Sequence, residues 1–453
     1  MKRKPTNEQL TLQLEQMTNI LRQEIIDGQY GIGGYLPSEA VLSKRFKLSN
    51  KSLRRGLEPL VEEGWIQKNP RVGNRVNFQK TRITLKIACG FTIERDLNLT
   101  GLLNAFQQQY PWITVTQIPL GRVSDLFEDR TESDADIFML NDSQFTELIE
   151  KQRHPMLEPL PPQVRTFPFL NRPFTVSDEL YVQPLVFSPI VLCYNKAHFR
   201  ECSLPEPTGR WTWNDLMHHA IQLSNESGRF GFCFHLPSEN RWPNFLLQSG
   251  ERLNGENLTL QELRGSKLLE SIRLCKDIIH NRHFFPLYLA ENNSEINEMF
   301  LAGKLSMVLN SYPNLYDLRN SGLDYDISPI PYIYEPSALS FTIGAAVNRH
   351  SAHKEEAKML VQYMASAEGQ RHIHRHTTSI PSDQYLVGET PQRPFNAPSR
   401  WPMFREMLFS YRWRQELQIP VHAYPGLFKI LKTYWAGMSD DDELCEQLMK
   451  ALS

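Results

Sequence analysis

Apolar positions along the first 80 residues recur with a helical period, and after Gly64 the pattern changes to short strands. From Asn7 the stretch NEQLTLQLEQMTNILRQEIIDGQY places Leu10, Leu14, Met17, Leu21 and Ile25 on one helix face. Asn7 suits the cap of that helix, Glu8 its first turn, and Gly28 its end. A second helix starts at Pro37, Ser38 and Glu39, with Val41, Leu42 and Phe46 as its buried side, and a short turn follows around Lys47–Leu48. A third is capped by Ser49, and its Leu53, Leu57, Leu60 and Val61 fall at i, i+4, i+7 and i+8, one apolar stripe. The segment WIQKNPRVGNRVNF then reads as a two-stranded wing, anchored by Trp65 and Ile66, with Gly73 permitting the tight turn.

The polar face of the third helix carries Ser49, Asn50, Lys51, Ser52, Arg54 and Arg55 near its N-terminus. A recognition helix presents its base-reading residues there. Arg can grip a guanine edge and Asn an adenine edge with paired hydrogen bonds, whereas Lys and Ser more often hold phosphates. Lys68, Arg71 and Arg75 of the wing would lie along the phosphate backbone. Taken singly, each basic residue is an ordinary solvated surface charge. The succession of helix, turn, helix and wing is far more specific.

Beyond residue 82 the pattern changes to strands alternating with helices. ITLKIACG alternates as a strand, LTGLLNAFQQQYP reads as a helix, WITVTQIPL as a second strand, and DADIFMLN as a third, closed by Asn141. The rhythm continues through ELYVQPLVFSPIVLCYNKAHF, a helix capped by Thr212, a helix and strand in NEMFLAGKLSMVLNSYPN separated at Gly303, and the strand SALSFTIGAAVN. Such alternation predicts an α/β body with a parallel, doubly wound sheet, whose ligands gather at the carboxyl ends of strands, here Phe91–Thr92 and Asn141.

The net charge of −2 over 453 residues hides a split: residues 1–80 hold 14 Lys and Arg against 8 Asp and Glu, and the remainder 35 against 43. A basic end on an acidic body points to different partners for the two. MKRKPTNEQL has no apolar run after its basic residues, and no stretch is apolar enough to span a bilayer, so a cytoplasmic protein without membrane partners is expected. The six cysteines form no CxxC pair and read as reduced thiols. In RHIHRH, His372 and His376 share a helix face without an acidic or Cys partner nearby, so no metal site is expected. Trp211 and Trp213 read as packing beside the Thr212 cap, and DDDEL at Asp440–Leu444 as a solvated helix start. The chain holds no GxGxxG, P-loop, GxSxG or conspicuous carboxylate pair, which argues against an enzyme and against a cofactor.

Residues 6–77 resemble the winged helix-turn-helix of the GntR family of bacterial transcription regulators. The carriers are LPSE at Leu36–Glu39, LSNKSLRRGL at Leu48–Leu57 and EEGWI at Glu62–Ile66. The resemblance implies DNA contacts at Ser49, Asn50, Lys51, Ser52 and Arg54. Ala40 and Asn50 stand where the family usually has Arg, Arg71 stands where it usually has Gly, and Pro59 falls inside the recognition helix, which bears on the operator sequence. Some members of that family carry a pyridoxal-phosphate-binding body; no strand-and-Lys pattern supports one here.

Roughly residues 83–385 resemble the bacterial extracellular solute-binding proteins of the sugar class, two-lobed and type II in topology. The carriers are AFQQQYPWITV (Ala105–Val115), DADIF (Asp134–Phe138), VLCYNKAHF (Val191–Phe199), TWNDL (Thr212–Leu216), FLAGKLSMVLNSY (Phe300–Tyr312) and SAEGQ followed by IPS (Ser366–Ser382). The resemblance implies a ligand held between two closing lobes by aromatic faces and polar groups. Phe91, Asn141, Tyr181, Trp242, Asn310, Tyr312 and Phe341 are the candidate positions.

Together these readings predict a DNA-binding domain over 1–80 and a two-lobed ligand-sensing domain over 81–453. The expected protein is a dimeric regulator on an inverted-repeat site in double-stranded DNA. Its effector is expected to be a small molecule, a sugar or oligosaccharide, although two-lobed bodies also bind peptides, polyamines and ions. Two other classes stay open at this stage: a sugar-acting enzyme with a DNA-binding head, and a constitutive DNA-binding dimer.

Overall fold

A computed structural model describes residues 7–26, 29–31, 33–70, 72–77, 82–127, 134–251, 260–286, 290–386 and 396–452. The side chains of Asn7 and Glu8, and the whole of Gly28 and Arg71, lie outside the described residues. The chain forms two compact units, Met1–Lys86 with Leu103–Gln117, and Ile87–Leu102 with Ile118–Ser453.

The first unit contains the helices α1 (Asn7–Ile26), α2 (Glu39–Phe46) and α3 (Asn50–Glu62), and the wing strands β1 (Ile66–Asn69) and β2 (Gly73–Val76). Leu14, Met17, Leu21 and Ile25 of α1 are buried against Leu53, Leu57 and Leu60 of α3. Each such side chain contributes about 1.5–3 kcal/mol by leaving water. Gly56 lets the two helices approach: a Cβ there would fall 2.4 Å from the Met17 methyl, and Thr18 Oγ1 donates to the Gly56 carbonyl at 2.8 Å. Lys47, in a left-handed conformation (φ 54°), ends α2, and the Ser49 hydroxyl caps α3 by accepting from Ser52 N at 3.1 Å.

Val41 and Val61 do not face the core as the pattern predicted; they are 54% and 38% exposed. Val41 lies about 100° around the helix from Leu42, and Val61 about 80° from Leu53. The stripe is therefore carried by Leu53, Leu57 and Leu60, which stay within about 40° of the first. The wing strands pair antiparallel from Ile66↔Val76 to Asn69↔Gly73. Residues 33–36 extend them on the other edge through Leu36 N to Asn74 O at 2.9 Å and Val76 N to Gly34 O at 2.7 Å. Trp65 is buried with its ring edge-on to Trp112, centroids 4.7 Å apart.

The α/β body begins with β3 (Ile83–Cys89), α4 (Ile93–Leu97), α5 (Leu99–Gln109), β4 (Ile113–Pro119), β5 (Ile137–Asn141) and α6 (Asp142–Glu150). A small hairpin, β6 (Thr175–Val176) and β7 (Glu179–Leu180), leads into the long strand β8 (Gln183–Asn195). Next come α7 (Lys196–Glu201), α8 (Trp213–Leu223), β9 (Phe230–Cys233), α9 (Pro243–Gln248), α10 (Leu260–Arg264), α11 (Lys267–His280) and α12 (Asn293–Leu301). Strands β10 (Leu305–Ser311), β11 (Tyr325–Pro329) and β12 (Ala338–Val347) follow, then α13 (Lys354–Ala365), α14 (Ala367–His376), β13 (Ile380–Pro381), β14 (Tyr411–Arg412), α15 (Tyr424–Trp435) and α16 (Asp441–Leu452).

The main sheet runs β4-β3-β5-β12-β8-β10-β9, with β11 and β13 on β8 and β14 on β12. It is mixed, not the parallel doubly wound sheet that the alternation predicted. The local βαβ units do pair parallel, β3 with β5 and β9 with β10. The long strands β8 and β12 run antiparallel to each other and to β5, β10, β11 and β13, because they travel between the halves of the sheet rather than within one; the short β14 pairs parallel to β12. Residues 183–189 of β8 pair with β12, and residues 190–195 pair with β10 and β11. This hand-over around Pro189 divides the α/β body into a pair of lobes that share continuous strands.

The Thr212 cap on α8 is a capping box with Asp215, as the TWND order requires. Trp211 and Trp213 are buried beside it. At the C-terminal end, Asp441 is paired rather than merely solvated: its carboxylate takes Arg273 at 2.7 Å and the Tyr434 hydroxyl at 2.6 Å.

Candidate functional site: a basic helix face and a polar cleft

The exposed surface of the first unit is built around the N-terminus of α3. Asn50, Lys51, Arg54 and Arg55 are exposed, and Ser52 is half-buried with its hydroxyl 2.9 Å from that of Ser49. Arg54 is held loosely: its Nε donates to Glu39 Oε2 at 2.9 Å while its side chain is 60% exposed, and a surface pair of this kind costs little to break. On the wing Lys68 and Arg75 are exposed, and Arg75 Nε donates to the Gly33 carbonyl at 3.1 Å. Arg71 lies outside the described residues.

Within the second unit a cavity of about 740 Å3 opens at the strand ends. One side is formed by Phe91, Thr92, Arg95 and Asp96 at α4 and by Asn141, Asp142 and Ser143 at the β5–α6 junction. The other is formed by Glu239, Asn240 and Arg241 before α9, by residues 292–294 at the start of α12, and by Ser311 and Asn314 after β10. Residues 339–341 and Ile343 of β12, and Arg414, complete it. The volume falls in the range of small-molecule sites.

Three of the seven positions expected at a ligand line this cavity: Phe91, Asn141 and Phe341. Phe91 is 99% exposed at the rim. Asn141 also caps α6, its Oδ1 accepting from Gln144 N at 2.8 Å. The other four have no surface on it. Tyr181 is buried with its ring against Phe145 and His154, and its hydroxyl donates to Glu179. Trp242 is 0% exposed and packs on Tyr424, Phe428 and Trp435. Asn310 donates to Asn297 at 2.9 Å, and Tyr312 donates to the Trp401 carbonyl at 3.0 Å.

Three of the four misses share a cause. Successive strand residues face opposite sides, so at the end of β10 Ser311 looks into the cleft while Asn310 and Tyr312 look away. At the start of α9 one residue is a rotation of about 100°, which exchanges Trp242 for Arg241. Polar residues before or at a helix start, ENRW at Glu239–Trp242 and NNS at Asn292–Ser294, were the signal that could have found this wall.

Two of the three guanidinium groups are paired with carboxylates, while Arg241 and Asp142 have no ion-pair partner among the described residues. Arg95 Nε meets Asp96 Oδ1 at 2.7 Å, and Arg414 Nη1 meets Glu239 Oε2 at 2.7 Å. Burial pushes the Asp96 carboxyl up despite Arg95. Arg241 is 1% exposed, and burial, reinforced by the charge of Arg95, pushes its guanidinium down to about 9. The residue is fixed by α9, where Asn244 Nδ2 donates to the Arg241 carbonyl at 2.9 Å and Asn244 Oδ1 accepts from Leu339 N at 2.8 Å.

Asp142 is wholly buried on the wall, and burial pushes its carboxyl from 3.8 up to about 6, against the hydrogen bond from Thr342 N at 2.9 Å and the charge of Arg414. With the folded-state value raised, the associated stability is complete below pH 3.8 and is lost as pH rises through about 6. Asp142→Asn is therefore expected to raise stability at pH 8 by up to about 3 kcal/mol, with the gain vanishing below pH 4. Melting curves of the two proteins across that range test this; parallel pH profiles would contradict it.

The histidines of RHIHRH are otherwise engaged. His372 Nε2 lies 2.7 Å from Asn98 Oδ1, His374 is buried beside Trp401, and His376 stacks on His372. Among the described residues no cluster of His, Cys, Asp and Glu could hold a metal ion, and no helix is long and apolar enough to cross a membrane.

A winged helix with a basic recognition face and a two-lobed α/β body with a cleft define a DNA-binding head joined to a solute-binding body. Residues 103–385 match the family model described as bacterial extracellular solute-binding protein, and the chain belongs to that family. Residues 13–76 match the model for bacterial regulatory proteins of the gntR family and form its DNA-binding domain. Neither is an enzyme family.

Among curated proteins, the Escherichia coli (strain K12) protein named Probable transcriptional regulator PhnF is 43% identical over 53 residues, 12% of this chain. The chain thus spans about a fifth of that relative, 22% of its length. Maltose-bound MalE3 of T. maritima superposes with a TM-score of 0.71 at 16% identity, covering 82% of this chain and 98% of its own. The substrate-binding protein Lmo0181 of Listeria monocytogenes, in complex with cycloalternan, gives 0.66 at 18%, covering 83% and 98%. The GacH receptor of Streptomyces glaucescens GLA.O, solved unliganded and with acarbose, gives 0.68 at 15%, covering 81% and 97%. At these identities the likeness establishes the fold.

Proposed function

We propose that this chain is a sequence-specific transcription regulator whose DNA binding is controlled by a saccharide held in the cleft of its solute-binding body. The observation that carries the reading is the union in one chain of an exposed basic α3 N-terminus and a cavity of saccharide size. The boundary between the two functions lies near residue 80, and the protein works in the compartment that holds DNA. Two copies set their α3 helices in major grooves about one helical turn, or a multiple, apart on an inverted repeat. Asn50, Arg54 and Arg55 read base edges, while Ser49, Lys51, Ser52, Lys68, Arg71 and Arg75 hold phosphates.

In the cleft, Phe91 and Phe341 offer faces to sugar rings, and the amides and hydroxyls of the wall take sugar hydroxyls. Closure of the two lobes favours one of two states of the regulator. The ligand's influence on DNA is bounded by its difference in affinity for those states.

The test is a gel-shift titration against fragments of the source genome, with and without mono- and oligosaccharides. One fragment is expected to bind specifically, and one saccharide to change that affinity. Arg54→Ala should weaken specific binding about 10- to 100-fold, the worth of one paired base contact, with little effect on melting. Equal affinity of wild type and variant would remove Arg54 from the contact surface. A failure of every saccharide to alter DNA binding would overturn the sensor reading.

A further inference from the structure

The cleft holds three guanidinium groups but balances only two. Arg95 has Asp96 and Arg414 has Glu239, each at 2.7 Å, and the third carboxylate of the wall, Asp142, accepts from the backbone of Thr342. Arg241, 1% exposed, has no carboxylate within ion-pair distance among the described residues. Its Nε donates to the Leu309 carbonyl at 3.2 Å, its Nη1 lies 3.5 Å from the Asn240 carbonyl, and its Nη2, buried, has no hydrogen-bond partner. The charge that acts on it is Arg95, of like sign.

A cation buried without a counter-charge is among the most costly arrangements a fold can hold. The bond from its Nε to Leu309 holds the guanidinium in the wall, and the bond from Asn244 Nδ2 to its carbonyl holds its backbone. We infer that the saccharide bears an anionic group, a phosphate or a carboxylate, and that Arg241 receives it. This rests on the reading of the cleft as a saccharide site.

A planar guanidinium matches two oxygens of either anion with parallel hydrogen bonds. The cavity of about 740 Å3 far exceeds what a free anion fills. The rest of its wall is dominated by neutral donors and acceptors, among them Asn292, Ser294, Ser311, Asn314 and Ser340, which suit hydroxyls rather than further charge. One charged end and a polyhydroxylated body therefore describe the ligand.

The full chain is titrated by calorimetry with neutral hexoses and disaccharides, their 6-phosphates, the matching uronates, and inorganic phosphate. One anionic series is expected to bind where its neutral parent binds on the order of 30-fold more weakly or not at all, and the series that binds names the group. Arg241→Met, which keeps the apolar stem and removes the charge, should bring the affinity for the anionic series down to that of its neutral parent in the same variant. If the variant does not fold, the wild-type preference decides alone.

Neutral saccharides binding as tightly as their charged counterparts would overturn the inference and leave the sensor reading standing. Absence of binding by every saccharide, neutral and charged, would overturn both. Inorganic phosphate binding as tightly as the best phosphosugar would overturn the saccharide assignment in favour of a simple anion receptor.

Discussion

Trp242→Ala is expected to destabilise the α/β body by about 3–5 kcal/mol, the cost of emptying a site that a buried indole fills. Trp242 is 0% exposed, with its ring centroid 5.9 Å from Phe428, 6.0 Å from Tyr424 and 6.4 Å from Trp435. It thus joins the start of α9 to α15. Loss of the indole leaves a void beside α15 that its three aromatic neighbours, fixed along one helix, cannot collapse to fill. Arg241 precedes it directly, so saccharide affinity should fall as well, but as a consequence of the loosened helix start. Trp242→Phe, which keeps a ring in the site, should recover most of both. Differential scanning calorimetry of the ligand-free protein separates the possibilities. A tryptophan that touched ligand would change affinity and leave the ligand-free melting transition in place.

Glu63→Ala is the second large effect, expected at about 3 kcal/mol in the winged helix. Arg22 of α1 is 4% exposed, and its guanidinium reaches Glu63 through Nε at 3.1 Å and Nη2 at 2.5 and 2.6 Å. The same carboxylate accepts from Trp65 Nε1 at 2.9 Å, so one side chain joins the first helix, the end of the third and the base of the wing. Its removal takes the counter-charge from a buried cation and one hydrogen bond from Trp65 Nε1. Asn19 Oδ1, 2.9 Å from Arg22 Nη1, and the partial exposure of Glu63 soften the loss. A small three-helix unit has about 5–10 kcal/mol to lose, so operator affinity should fall although Glu63 lies at the far end of α3 from the basic face. Pairing the change with Arg22→Met should recover much of the stability, because the unbalanced charge goes too. An unchanged melting transition in Glu63→Ala would show that the pair contributes nothing net.

The sequence was informative where the deciding interactions are local. The Ser49 and Thr212 caps, the α3 stripe and the strand–helix rhythm each depend on residues within one or two turns of one another. The cleft was harder to read. Aromatic residues near strand ends were natural choices for a saccharide, yet Trp242, Tyr312 and Tyr181 pack into the core, and the wall is made of Arg, Asn, Asp and Ser. A large ring stabilises most when every face is covered, so bulk alone does not distinguish a stacking platform from a core anchor.

By itself the order of residues determined a winged helix-turn-helix with a basic third helix and an α/β body of the solute-binding class. Hydrophobic period, capping and turn residues act over a few positions and need no partner. Only the tertiary structure decided that β8 and β12 run antiparallel through both lobes. It also decided that Ser311 rather than its neighbours faces the cleft, and that Arg241 stands in its wall without a counter-charge. Each of those outcomes depends on register and rotation. A shift of one residue, invisible in composition, turns a side chain from the core to the ligand.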